Sequence, residues 1–219
     1  MISASMVKDL REASGAGMLD CKKALEATNG NMDEAINWLR EKGISKAAKK
    51  ASRIAAEGLT YVVARGNDAV ILEVNSETDF VAKSDDFKKL VCDVAELLLD
   101  KKPACINCAK EITGELFTNA TVKIGEKLDF RRFEVVTKTD AQSFGAYIHM
   151  GGKISVLALV EGNDDEVAKG LAMHIAANNP TYISKENIPA ETVEHEKKIQ
   201  LEAAKNDPKL MNQPEERLV

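Results

Sequence analysis

Cys105-Ile-Asn-Cys108 has the spacing that soft-metal and thiol chemistry use. A zinc site needs four ligands, however, and no second C-x-x-C accompanies it. The three histidines, His149, His174 and His195, fall in three different expected elements. Two incidental thiols on a helix is therefore the preferred reading of Cys105 and Cys108, and no metal site is expected. His174 lies on the apolar side of an expected helix and reads as a packed structural histidine. His149, in "YIHMGG" at a hairpin tip, reads as an exposed contact. There is no Ser/His/Asp set, G-x-S-x-G, phosphate loop or dinucleotide glycine pattern, and "GAG" at 15–17 lacks a preceding strand. With that inventory empty, the chain is not expected to be an enzyme or to carry a cofactor.

A different kind of chemistry is suggested by "EVNSETDFVAK" at 73–83. A largely apolar run, Ala69 to Val74, gives way to Asn75, Ser76, Glu77, Thr78 and Asp79, and Phe80 follows at once. A core aromatic at the base of the next helix and an exposed anchor both fit this pattern. Two details favour exposure. The helix from Asp85 already has a full apolar face, and Glu77, Asp79, Lys83, Asp85 and Asp86 are costly to bury. A ring held out on a polar turn anchors a partner's pocket, worth roughly 1.5–3 kcal/mol if buried there. Lys46, Lys49, Lys50 and Arg53 form a basic patch without aromatic interleaving, which reads as a solvated linker face, with electrostatic steering toward an acidic partner left open.

The elements that position these residues follow from periodicity. Of 219 residues, 44% are hydrophobic and 30% charged, so a proper core is affordable. Aromatics are only 5%, which leaves packing to aliphatic side chains. A net charge of −5 argues against direct nucleic-acid binding. No apolar stretch reaches the roughly 18–20 residues of a membrane helix. Four scattered cysteines, without a signal peptide, point to a reducing cytoplasm.

Three short helices are expected over 1–45, with Val7, Leu10 and Ala13, then Cys21, Ala24 and Leu25, then Met32, Ala35, Ile36 and Leu39 facing inward. Asn31 with Glu34 caps the third, and Gly43 suits its stop. Residues 46–57 read as a basic linker, helical in part. A first core half over 58–140 starts with a hairpin, "LTYVVAR" and "AVILEV", then an irregular turn and an amphipathic helix capped by Ser84. Its inward face is Phe87, Leu90, Val91, Val94, Leu97 and Leu98; a helical stretch near 107–120 and the strand-like "KLDFRRFEVV" follow. A second half over 141–187 repeats hairpin and helix, with Val167, Leu171 and Ile175 on one face. Residues 188–219 are highly charged and read as a projecting helical arm. The fold class is α+β, with two related ββα halves.

"LREASGAGMLDCKKAL" at 10–25 and "EVNSETDFVAK" closely resemble the two signature stretches of bacterial elongation factor Ts. "AAKKASRIAAEG" at 47–58 and "AMHIAANNP" at 172–180 are also similar to family segments. Ser14 stands where the family usually has threonine, keeping the hydroxyl. The resemblance implies a guanine-nucleotide exchange factor for elongation factor Tu, with an N-terminal domain similar to ubiquitin-associated domains. It implies three contact zones. Arg11, Met18 and Leu19 would dock on a helix of the GTPase domain. Thr78, Asp79, Phe80 and Val81 would enter beside the nucleotide and disturb Mg²⁺. His149 would touch another domain of the partner. Family members continue with a returning helix and a C-terminal module, so "NQPEERLV" is expected to mark a shortened arm lacking that module's contacts. A non-exchanging adaptor is the competing class, and a ribosome- or RNA-binding module comes third.

Overall fold

The computed structural model describes residues 2–50 and 52–206, the side chains of 44–48 excepted. The side chain of Lys46 and the final "NQPEERLV" thus lie outside the described residues. Three helices open the chain: α1 (Ala4–Ser14), α2 (Met18–Ala27) and α3 (Met32–Lys50). Ser3 caps α1 by accepting the Met6 N–H at 3.2 Å. Asn31 caps α3 as expected. Its Oδ1 accepts from the Asp33 and Glu34 N–H groups at 3.1 and 3.3 Å, and its amide donates to Glu34 at 2.9 Å. The helices close on Val7, Leu10, Cys21, Ala24, Leu25, Ala35 and Leu39, while Ala13 faces outward. Ser14 Oγ donates to the Leu10 carbonyl at 2.6 Å and accepts the Ala16 N–H at 3.3 Å, which pins the α1–α2 corner.

Gly43 does not end the third helix. The Ala- and Lys-rich stretch after it favours helix, and α3 runs on to Lys50 against α6 (Ile106–Ile124). A Cβ at Gly43 would stand 2.2 Å from Val122 Cγ2, so the glycine serves close helix contact rather than a stop. Arg40 reinforces the contact through Glu115 at 2.9 Å.

Strands β1 (Glu57–Arg65) and β2 (Asp68–Ser76) form the expected hairpin, and β3 (Leu128–Thr137) pairs antiparallel with β2, giving the order β1-β2-β3. The two-residue turn carries Gly66 at φ 61°, a conformation glycine adopts without strain. Helix α5 (Asp85–Lys101) starts where Ser84 Oγ accepts the Phe87 N–H. Its Phe87, Leu90, Val91, Val94 and Leu98 bury against Val70, Leu72, Val74 and Phe130, with Leu97 half-buried. Each such side chain taken from water contributes about 1.5–3 kcal/mol. Phe117 of α6 stacks on Phe130 at a centroid spacing of 5.9 Å, and Phe133 meets Phe130 at a tilt, 5.7 Å away.

The second hairpin is also present, as β4 (Gln142–His149) and β5 (Ile154–Glu161), followed by α7 (Asp165–Asn178). Thr60 stitches it to β1: its N–H and Oγ1 donate to the Gly152 carbonyl at 2.7 and 2.9 Å, and Ser155 Oγ lies 2.9 Å from Oγ1. The buried face of α7 differs from the expected one. Ala168 and Ala172 are fully buried, while Val167 and Leu171 are 59% and 41% exposed. The cause is Gly145 on β4, where a Cβ would lie 1.9 Å from the Ala168 carbonyl oxygen. So close an approach admits only small side chains, and the larger ones turn outward. His174, expected to be packed, turns outward with them and is exposed.

Residues 178–206 form a separate unit with a short 3₁₀ turn (Lys185–Asn187) and α8 (Ala190–Asn206), which carries the exposed His195. The architecture is α+β. No described helix is long and apolar enough to cross a membrane.

Two glycine substitutions check these contacts. Gly145→Ala sets a methyl against a backbone carbonyl that cannot rotate away, and should cost about 1–3 kcal/mol in urea unfolding. Gly114→Ala, inside α6 with open space around it, should instead stabilise by up to about 1 kcal/mol. Equal effects at the two sites would contradict the packing described.

Candidate protein-interaction site

The stretch expected as an irregular turn is a short helix, α4 (Asp79–Lys83). Thr78 is its N-cap, with Oγ1 accepting the Val81 N–H at 3.4 Å. Asp79 sits in the first turn, where a negative charge suits the helix N-terminus, and pairs with Lys83 at 2.6 Å. Ser84 ends α4 and starts α5: its hydroxyl donates to the Val81 carbonyl at 2.7 Å while also accepting from Phe87. The same turn buries Ala82 and packs Val81 on the core. Phe80 is left 82% exposed.

Two carboxylates hold this turn in place. Glu126 accepts the Thr78 N–H at 3.0 Å with one oxygen and the Thr78 hydroxyl at 2.7 Å with the other. Glu77 accepts the Lys127 N–H at 2.6 Å in return, and also bonds Arg53 at 3.2 Å. The backbone N–H of Lys127, followed by Arg53, holds the Glu77 carboxyl below the ordinary range. The bond from Lys83 does the same for Asp79, and Lys83 is raised in turn. Residues 77–78 and 126–127 thus clasp one another reciprocally. Sequence inspection missed Glu126. Lying 48 positions from Thr78, it looks like any solvated glutamate, and no local pattern marks it.

The end of α6 is also where the N-terminal bundle rests. Gly15, closing α1 at φ 68°, faces the Lys123 side chain, and Lys123 pairs with Asp86 at 2.5 Å. Lys50, at the end of α3, donates to the Gly125 carbonyl. Beyond Gly15, Met18 and Leu19 open α2 with 52% and 74% exposure, and Arg11 is exposed in the last turn of α1. The bundle corner and α4 are therefore braced by one short segment, 123–127. His149 lies apart, at the end of β4. It is exposed, with Nδ1 3.0 Å from the Tyr147 hydroxyl, and its neighbour Met150 is 72% exposed. Sequence inspection passed over Met150.

Cys105 and Cys108 are exposed free thiols at the start of α6. Among the described residues, no three or more His, Cys, Asp or Glu side chains are grouped to hold a metal ion. What the arrangement offers is a rigid exposed aromatic beside charged groups, with further apolar surface on α2 and beyond β4. A family model described as Elongation factor TS matches residues 77–218, more than half of the chain.

The Asp79–Lys83 pair sets a pH test. A depressed carboxylate contributes to stability above its ordinary titration range and loses that contribution as pH falls through its folded value. With Asp79 lowered from 3.8 and Lys83 raised from 10.5, the pair should thus stay intact from about pH 4 to 10. Carboxyl carbon NMR should place the Asp79 midpoint below 3.8, and Lys83→Met should move it upward. A midpoint at or above 3.8 in the unaltered protein would mean the pair does not form in solution.

Proposed function

Because the chain belongs to the elongation factor Ts family, we propose that it releases GDP from elongation factor Tu by inserting α4, with Phe80 as a wedge, beside the Mg²⁺-bound nucleotide. Nucleotide exchange on that GTPase is the family's role in translation elongation. The observation that carries the finer reading is the Phe80 ring, 82% exposed on a turn clamped from both sides. A preorganised anchor loses little entropy on docking, so more of its burial energy is left to strain the partner.

Mg²⁺ demands near-ideal octahedral oxygen coordination. Small displacements of the partner's metal-binding loops therefore loosen it, and the β-phosphate loses its counter-charge. Phe80 enters an apolar gap while Asp79 competes for polar groups nearby; Thr78 and Val81 enter with it, Thr78 held by Glu126 and Val81 packed on the core. Arg11, Met18 and Leu19 dock the bundle on the GTPase domain, and the second hairpin around His149 touches another domain. These contacts supply the binding energy that offsets the strain. No bond is made or broken in this protein. By linkage, GDP must weaken the complex by the factor by which the complex weakens GDP. The site of action is the cytoplasm.

Phe80→Ala should slow fluorescent-GDP release from elongation factor Tu by about tenfold or more, the share of roughly 1.5–3 kcal/mol that the ring brings. The circular dichroism spectrum should not change. Unchanged release with association retained would leave a plain adaptor instead. Met18→Ala with Leu19→Ala should weaken association by at least about tenfold, measured by calorimetry on the nucleotide-free GTPase. Unaltered affinity would remove the docking role of the bundle.

A further inference from the structure

Cys105 and Cys108 take no part in the contacts proposed above, and the fold presents them in an unexpected way. Cys105 is the N-cap of α6, with extended backbone at φ −151° and ψ 160°. A cap side chain folds back over the first turn, and here the Cys105 sulfur accepts the N–H of Cys108 at 3.2 Å. Residues three apart at a helix start share one face, within reach of a bridge. Both thiols are exposed. The Cys108 thiol and backbone N–H hold the Cys105 thiol below its ordinary value, against the opposing charge of Glu111, while Cys108 itself is raised.

The surroundings offer hydrogen-bond donors to a carboxylate. An open groove of about 620 Å³ beside Cys105 is lined by Lys102, Arg131 and Arg132, with Glu134 as its acid. Arg131 and Arg132 share Glu73 at 3.5 and 2.7 Å, and Lys102 pairs with Asp68 at 2.6 Å. Each guanidinium keeps further N–H donors for a carboxylate in the groove.

We propose that Cys105 and Cys108 are a thiol–disulfide exchange pair, with Cys105 attacking small carboxylate-bearing disulfides and Cys108 resolving the product. In the first step the Cys105 thiolate bonds to one sulfur of the reagent, whose S–S bond breaks and whose other half leaves as a thiol after taking up a proton. In the second, Cys108 loses its proton and bonds to the Cys105 sulfur, expelling the remaining half as a second thiol. The protein gives up two electrons and two hydrogens, and the reagent disulfide is reduced to two thiols.

Oxidised glutathione is the probe, applied to the full chain at neutral pH with peptide mass analysis. The unaltered protein should lose two hydrogens from the peptide spanning both cysteines and retain no adduct. Cys108→Ser should accumulate a glutathione adduct on Cys105. Cys105→Ser should react about three- to tenfold more slowly, because the Cys108 N–H that bonds the Cys105 sulfur is kept in Cys108→Ser, a difference that guanidinium unfolding should erase. Arg131→Ala with Arg132→Ala should slow the reaction, because the guanidinium donors for the reagent's carboxylates are lost. Equal rates in the two folded cysteine variants, a lasting adduct on the unaltered protein, or a rate unmoved by loss of the two arginines would each overturn the proposal.

Discussion

The reciprocal clasp between residues 77–78 and 126–127 is the constraint on which the rest depends. A five-residue helix has too few internal hydrogen bonds to persist alone, because nucleation costs more than one turn returns. Here the cost is met from outside. Glu126 takes both donors of Thr78, and Glu77 takes the N–H of Lys127. Hydrogen bonds to ionised carboxylates are among the stronger ones, and these sit where the chain holds the Phe80 ring 82% exposed.

The clasp also explains the layout around it. Segment 123–127, at the end of α6, receives the α1–α2 corner through Lys123, the end of α3 through Gly125, and α4 through Glu126 and Lys127. Three elements far apart in sequence are referred to one short stretch of backbone. Surfaces on the bundle and on α4 are thereby held relative to each other, a preorganisation that the proposed docking would draw on.

Packing in the rest of the chain follows from a shortage of aromatic residues. The main core relies on aliphatic interlocking between α5 and the three-stranded sheet, with Phe87 and Phe130 as its large members. Elsewhere, contact is made by bringing backbones close rather than by filling space. Gly43 admits Val122, and Gly145 admits the carbonyl of Ala168. Close approach selects small residues, so α7 presents alanines inward and leaves Val167 and Leu171 to the outside.

Much of this was legible from sequence. The caps at Asn31 and Ser84, both hairpins, the apolar face of α5 and the exposure of Phe80 all arise from interactions within a few residues, or from the cost of burying a cluster of charges. By itself the sequence determined the α+β class and the order of the longer elements, and its charges favoured an exposed Phe80 over a buried one. Tertiary structure alone decided that α3 continues past Gly43, that α7 buries Ala168 and Ala172 and turns His174 outward, and that Glu126 clamps Thr78. Each of those depends on how closely two distant backbones approach, a distance set by the whole packed chain and written in no local pattern of residues.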